Sequence, residues 1–314
     1  MLYVIKTALI LTLLLFFSFV LIYFINPGNI FADNVITEKL ISPLNTFPYS
    51  KSYVNTNVWS PNLSVTPSNI DINGKAGLVY NLTDDQLVFI KNPKYKGSIA
   101  SMVKLMTAMI SIDQINPNKQ ITISKSASNV EEDSMGILEG EKYNLEQMLY
   151  GLMLPSGNDS ALALAEQIEP NNYLPFVDLM NKKAKEIGMK NTIFTNPSGL
   201  QEENENQYST LEDVLIMARY AIKNYPLIKQ IAETKAYSIE NSNNHHEQTI
   251  YNQNFMLEYP NVRGLKTGYT PEAGLCIVIY AVVNGKEVIA IVLNSDNRKA
   301  DVTYMLHYAM GMIE

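Results

Sequence analysis

Ser101 and Lys104 form the only Ser-x-x-Lys in the chain. That spacing puts both side chains on one face of a helix. A serine hydroxyl is a weak nucleophile until a base takes its proton. A lysine serves as that base only where burial or a nearby cation lowers its pKa from about 10.4. Met102 to Ile112 carries apolar residues at helical spacing, so Ser101 opens a helix whose amino terminus favours developing negative charge. Lys266-Thr267-Gly268 is the only Lys-(Ser/Thr)-Gly, and it immediately precedes an apolar strand candidate. A lysine on a strand beside the nucleophile would depress the pKa of Lys104 and attract a substrate carboxylate. Gly268 would let a substrate lie against the strand edge, where a side chain would block it. Among the Ser-x-Asn triplets, only Ser156-Gly157-Asn158 sits between two helical segments. Its serine can join a proton relay and its asparagine can grip a peptide backbone. Each motif alone also has an ordinary reading: a helix-capping serine with a surface lysine, a strand-entry turn, a loop between helices.

The elements that must position these residues are legible in outline. Ala76–Tyr80 and Gln86–Ile90 flank a polar turn and read as a β-hairpin. Leu275–Val283 and Glu287–Asn294 flank Asn284-Gly285, a strong hairpin signal. Between them the pattern is helical: Leu145–Met153 after Asn144 as N-cap, Ser160–Ile168, and Tyr173–Ile187 stopped by Gly188. A helix from Thr210 to about Asn224 and a closing helix near Val302–Met312 complete it. The expected fold class is α/β (α+β), with an antiparallel sheet from both chain ends, flanking helices and an inserted helical subdomain.

The chain has 314 residues, 46% of them hydrophobic, enough for one large or two modest domains with a real core. Lys plus Arg is 24 against 31 Asp plus Glu, a net charge of -7, which argues against a nucleic-acid partner. One cysteine, Cys276, excludes an internal disulfide, and three histidines leave little for a metal site. His245-His246 reads as a surface turn. No charge interrupts Thr7 to Ile25, a run long enough to span a bilayer, with Lys6 before it and Asp33 after it. Residues 1–32 are therefore expected to be a transmembrane anchor, or a signal peptide cleaved near Ala32. Residues 33–70, rich in Ser, Asn and Pro, read as a flexible spacer, and 71–314 as one catalytic domain.

Ser-x-x-Lys, Ser-x-Asn and Lys-Thr-Gly in this order are the active-site set of penicillin-binding proteins and class A β-lactamases. Four stretches sharpen the likeness: Ile99-Ala100-Ser101-Met102-Val103-Lys104-Leu105-Met106-Thr107, Leu154-Pro155-Ser156-Gly157-Asn158-Asp159-Ser160-Ala161, Asn196-Pro197-Ser198-Gly199-Leu200 and Gly264-Leu265-Lys266-Thr267-Gly268-Tyr269-Thr270. From about residue 71 onward the chain resembles low-molecular-mass penicillin-binding proteins of the D-alanyl-D-alanine carboxypeptidase type, with the β-lactamase/transpeptidase-like fold. The resemblance implies that Ser101 attacks the carbonyl between the last two D-alanines of a peptidoglycan stem peptide, with Lys104 as general base. Ser156 would relay a proton toward the leaving amine and Asn158 would position the substrate amide. Lys266 and Thr267 would contact the terminal carboxylate, with Arg298 helping to hold it. The backbone N–H groups of Ser101 and Tyr269 would form the oxyanion hole. No cofactor or metal is implied, and β-lactams would acylate Ser101.

Met102-Val103 stand where family members usually have Leu-Thr, which implies altered packing rather than lost chemistry. The amino-terminal run is expected to attach the enzyme to the outer face of the cytoplasmic membrane. A β-lactamase, a transpeptidase and a catalytically inactive wall-binding domain are the competing readings. Glu202, Glu203 and Glu205 offer acids for the first, but their loop reads Asn-Pro-Ser-Gly-Leu, as carboxypeptidases do.

Overall fold

A computed structural model describes residues 58–64, 70–200 and 207–313. The apolar run and most of the expected spacer lie outside the described residues, as do Glu202, Glu203 and Glu205. Five antiparallel strands form the main sheet: β1 (Ala76–Asn81), β2 (Gln86–Lys91), β3 (Val262–Thr270), β4 (Gly274–Val283) and β5 (Lys286–Ser295), in the order β2-β1-β5-β4-β3. Both expected hairpins form, and β1 pairs with β5 from Ala76 opposite Leu293 to Asn81 opposite Val288. The sheet is thus closed by strands from both ends of the folded chain, and everything between β2 and β3 is inserted.

The insertion holds α1 (Lys104–Gln114), α2 (Leu145–Met153), α3 (Asn158–Ala165), α4 (Leu174–Ile187), α5 (Leu211–Asn224) and α6 (Pro226–Glu233). Their ends follow local chemistry. Asn144 and Gln147 close a reciprocal capping box on α2, and Gly188 at φ 98° ends α4. The Thr210 side chain accepts the Asp213 N–H at the start of α5. Every residue of α1 from Lys104 to Ser111 is buried, so this helix is the axis of the domain. The last helix, α7 (Arg298–Met312), covers the other sheet face, where Val302, Met305, Leu306 and Ala309 pack on Val79, Phe89, Ile277, Ile279 and Val292.

Several expectations shift. Lys266-Thr267-Gly268 does not precede a strand; it lies within β3, the edge strand. Helix α3 starts at Asn158 rather than Ser160, with Gly157 at its N-cap and no side-chain cap. Helix α7 starts at Arg298 rather than Val302, capped by Asn297. Helix α6 and a hairpin of Ala236–Ile239 with Gln248–Tyr251 went unread. They are short, and Pro226 at the start of α6 reads as a breaker as readily as a first helical residue.

Residues 58–64, inside the expected spacer, pack on the domain. Trp59 donates from Nε1 to Asp85 Oδ1 (3.1 Å), meets the Tyr80 ring edge-on at 5.6 Å, and lies under the Arg219 guanidinium at 4.1 Å. A β-carbon on Gly188 would lie 2.4 Å from Val58. The folded body therefore begins upstream of residue 71. Trp59→Ala is expected to lower the unfolding free energy by about 1–2 kcal/mol. The urea midpoint measures this, and an unchanged midpoint would show that the segment only rests on the surface.

Candidate active site

The nucleophile candidate sits in a 3-10 turn, Ala100–Val103, that runs directly into α1. Met102 and Val103 are buried, so the departure from Leu-Thr is absorbed by core packing beneath the turn. Lys104 is fully buried. Its Nζ lies 3.0 Å from Ser101 Oγ, 2.7 Å from Asn158 Oδ1 and 2.6 Å from the Ser198 carbonyl oxygen. Both the Asn158 and Ser198 atoms can only accept. A neutral amine has two N–H donors and one lone pair. The two carbonyl oxygens take both donors, and the lone pair is left facing the Ser101 hydroxyl. Burial holds the Lys104 pKa well below the usual lysine range, and the nearby Lys266 charge adds to this. Asp133, Asp159 and Glu132 pull in the opposite direction. Lys104 therefore has the protonation state and the geometry of a general base.

The backbone around Ser101 is clamped from two sides. A β-carbon on Gly199 would come within 2.2 Å of the Ala100 carbonyl oxygen, and one on Gly268 within 2.9 Å of the Ser101 nitrogen. Gly268, expected to clear a path for substrate, also makes room for the nucleophile turn. Ala100 itself is buried at φ 48°. The Asn196–Leu200 loop supplies the other jaw. Asn196 Oδ1 takes the N–H groups of Ser198 and Gly199, and Thr107 in α1 donates to the Pro197 carbonyl at 2.6 Å.

Ser156 occupies the loop between α2 and α3 at φ 68°, buried, with its Oγ lacking a hydrogen-bond partner among the described residues. Such orphaned hydroxyls are rare in folded interiors and mark a group with work to do. The loop is held by Gly157 N–H on the Gly151 carbonyl and Asn158 N–H on the Asp133 carbonyl. Asp159 anchors the facing loop by accepting from the N–H groups of Met135 and Gly136 and from the Ser134 hydroxyl. Asn158 commits its oxygen to Lys104, so only its amide N–H groups remain to meet a substrate carbonyl.

Lys266 is buried in β3, and burial pushes its pKa down to about 7, with the Arg298 charge adding to the fall and Asp133 opposing it. Thr267 beside it is also buried, whereas Tyr269 is exposed. Arg298, expected on the substrate carboxylate, donates from Nη1 to the carbonyls of Gly268 (2.6 Å) and Cys276 (3.1 Å). It braces the edge strand from behind and adds positive charge near Lys266.

The structure thus gathers Ser101, Lys104 and Asn158 into direct contact. It places Gly268 against the Ser101 nitrogen. Sequence reasoning missed the Ser198 carbonyl, Thr107, Asn196 and Asp159. Three of these lie in the quoted stretches Asn196–Leu200 and Leu154–Ala161, and Thr107 ends the first; backbone and packing roles leave no chemical signature of their own. His245 stacks on Tyr143 at 4.7 Å and His246 bonds Glu141, both away from these residues. No group of acids, histidines and cysteine among the described residues could hold a metal.

Fold and site are of the transpeptidase-like class, built around a Ser–Lys pair. Residues 63–297 match the D-alanyl-D-alanine carboxypeptidase family, and the chain belongs to it. It is 33% identical over 249 residues to D-alanyl-D-alanine carboxypeptidase DacF of Bacillus subtilis, covering 76% of this chain and 63% of that protein. It is 31% identical over 272 residues to a D-alanyl-D-alanine carboxypeptidase of Streptomyces, covering 81% and 92%. The crystal structure of the Streptomyces K15 DD-transpeptidase superposes with a TM-score of 0.72 at 30% identity, over 78% of this chain and 100% of that one.

Lys266 sets a pH dependence. Below about 7 it is cationic and attracts a carboxylate; above that it is neutral. The second-order rate of acylation by benzylpenicillin, a carboxylate, is expected to fall as pH rises through that range, since this constant reports the free enzyme. Lys266→Arg, whose guanidinium stays charged, moves the alkaline fall to higher pH. An alkaline limb that stays in place would remove Lys266 from carboxylate capture.

Proposed function

We propose that the chain is a serine-type D-alanyl-D-alanine carboxypeptidase that removes the terminal D-alanine of peptidoglycan stem peptides through an acyl-enzyme on Ser101. The observation that carries this is the 3.0 Å contact between Ser101 Oγ and a fully buried Lys104 whose donors both face carbonyl oxygens. Neutral Lys104 takes the Ser101 proton as Oγ attacks the penultimate carbonyl. The oxyanion develops between the N–H groups of Ser101 and Tyr269, an interaction often worth about 3–4 kcal/mol. Ser156 passes the proton to the leaving amine, and the D-alanine departs. Water then attacks the ester carbonyl, Lys104 again takes a proton, and Ser101 is restored. Lys266 and Thr267 hold the terminal carboxylate, and the Asn158 amide orients the peptide.

The same acyl-enzyme passed to an amine instead of water would make a transpeptidase, the name carried by the Streptomyces structure. Intact mass after incubation with benzylpenicillin is expected to show one covalent adduct, absent in Ser101→Ala. Free D-alanine is expected from a diacyl-lysyl-D-alanyl-D-alanine peptide. No adduct on the intact chain would sink the enzyme reading, and rapid turnover of the drug would favour a β-lactamase.

The uncharged run Thr7–Ile25 supports the further proposal that the domain works on the outer face of the cytoplasmic membrane, tethered through residues 1–32. Full-length protein is expected in the washed membrane fraction. Recovery from the soluble fraction with its amino terminus intact would contradict the tether.

A further inference from the structure

Ser156 stands at φ 68° in the loop between α2 and α3, a left-handed conformation that its β-carbon disfavours. Two main-chain hydrogen bonds bracket it. On one side the Leu154 carbonyl accepts the Gln253 N–H at 3.0 Å. On the other the Asn158 N–H donates to the Asp133 carbonyl at 2.8 Å. The two brackets are themselves joined, because Gln253 Nε2 donates to Asp133 Oδ1 at 3.2 Å. Leu154, Ser156, Asn158, Asp133 and Gln253 thus lie on one closed ring. Its side-chain link joins residues 120 apart in sequence.

Both ends of that link are fixed independently. Gln253 stands in the turn that leads through the 3-10 segment Phe255–Glu258 into β3. Asn252, beside it, grips the end of α6 by donating to the Ala232 and Thr234 carbonyls at 3.3 and 2.9 Å. Asp133 adjoins the Ser134–Gly136 loop, which Asp159 fastens. The ring therefore ties the sheet side of the site to the helical side at Ser156. Asp133 and Gln253 are both exposed, and each would bond water without the other, so the link adds little to global stability. Its effect is local: it sets where Ser156 and Asn158 stand. Asn158 in turn meets Lys104 Nζ at 2.7 Å. The Asp133 charge also favours the cationic forms of Lys104, Lys266 and Arg298.

Resting on the carboxypeptidase reading, we propose that Asp133 and Gln253 are positioning residues for proton delivery, their hydrogen bond holding the Ser156 hydroxyl where it protonates the leaving amine. As Ser101 Oγ bonds to the carbonyl carbon and the C–N bond breaks, the nitrogen keeps the electron pair and needs a proton. That proton comes from Ser101 by way of Lys104 and Ser156. A small displacement of the relay slows this transfer steeply, because a proton donor must be aligned with its acceptor. A thiolester substrate differs at this step alone. Its C–S bond breaks with the electron pair on sulfur, and the thiolate leaves without a proton.

The test compares diacyl-lysyl-D-alanyl-D-alanine with its thiolester analogue, in which thioglycolate replaces the last D-alanine and keeps the terminal carboxylate. The readout is kcat/KM for D-alanine release divided by kcat/KM for thiolate release. The ratio is taken within one protein, so a partly folded variant does not alter it. Gln253→Ala and Asp133→Ala are each expected to lower it at least about tenfold. Asp133→Asn removes the charge but keeps an acceptor for Gln253 Nε2. Its ratio is expected to stay at the wild-type value, whatever the lost charge does to the absolute rates. Equal losses on both substrates in the alanine variants overturn the proposal, as do unchanged rates. An Asp133→Asn ratio that falls with the alanine variants also overturns it, since the charge would then be what acts. Wild-type protein that is acylated by benzylpenicillin but releases no D-alanine overturns stem-peptide hydrolysis. The ratio is then read from penicillin acylation, because the lactam nitrogen also needs a proton, and the positioning role stands or falls on it separately. Wild-type protein inert toward penicillin and both substrates overturns the two readings together.

Discussion

The site is organised by one requirement: an amine must stay unprotonated next to a hydroxyl. Lys104 meets it by losing all contact with solvent, and the Lys266 charge reinforces the effect. A buried neutral amine still needs acceptors for its two N–H groups, or its burial becomes prohibitive. These come from Asn158 and from the Ser198 carbonyl, 54 and 94 residues away in sequence. Three distant segments must therefore converge on one nitrogen. That explains why α1 is buried along its first two turns and why the helical insertion is wrapped around it.

Convergence on Lys104 forces unusual backbone nearby. Ala100 and Ser156 both carry β-carbons at positive φ, which costs on the order of 1–3 kcal/mol at each position. The surroundings hold them there. Gly199 and Gly268 close on the Ala100–Ser101 peptide from opposite sides, and a methyl group on either would collide with backbone. Asn196 shapes one jaw with hydrogen bonds to consecutive N–H groups. Asp159 fastens the loop facing Ser156, so its carboxylate does structural work while biasing Lys104 electrostatically. Arg298 fixes the other jaw by binding the Gly268 carbonyl.

What could be read from the sequence was what depends on local pattern. The two hairpins and the capped helices follow from alternation, Asn-Gly and capping residues, and they are present nearly as expected. The Ser–Lys pair was legible because both partners lie one helical turn apart. The contact of Gly268 with the nucleophile turn was not legible, since no local signal says which surface approaches a glycine. The hydrogen bonds of Arg298 to the Gly268 and Cys276 carbonyls were not legible, because those strands are remote in sequence. Ser198 acts through its main chain, to which side-chain type is nearly silent. The packing of Trp59 was hidden because its partners, Asp85, Tyr80 and Arg219, are remote from a Ser- and Pro-rich stretch that looks like linker.

The two buried lysines are linked in one direction: the charge of Lys266 acts on Lys104. In the free site burial and the Lys266 charge lower the Lys104 pKa, whereas Lys266 is lowered by its own burial, with Arg298 adding to the fall and Asp133 opposing it. A carboxylate bound at Lys266 would supply a counter-charge, stabilise the ammonium form of Lys266 and screen its field at Lys104. The proton affinity of Lys104 would then rise as Ser101 gives up its proton. Substrates that lack the carboxylate forfeit this gain as well as the direct contact. A carboxylate held at Lys266 would therefore act on Lys104 through the field of one lysine at the other.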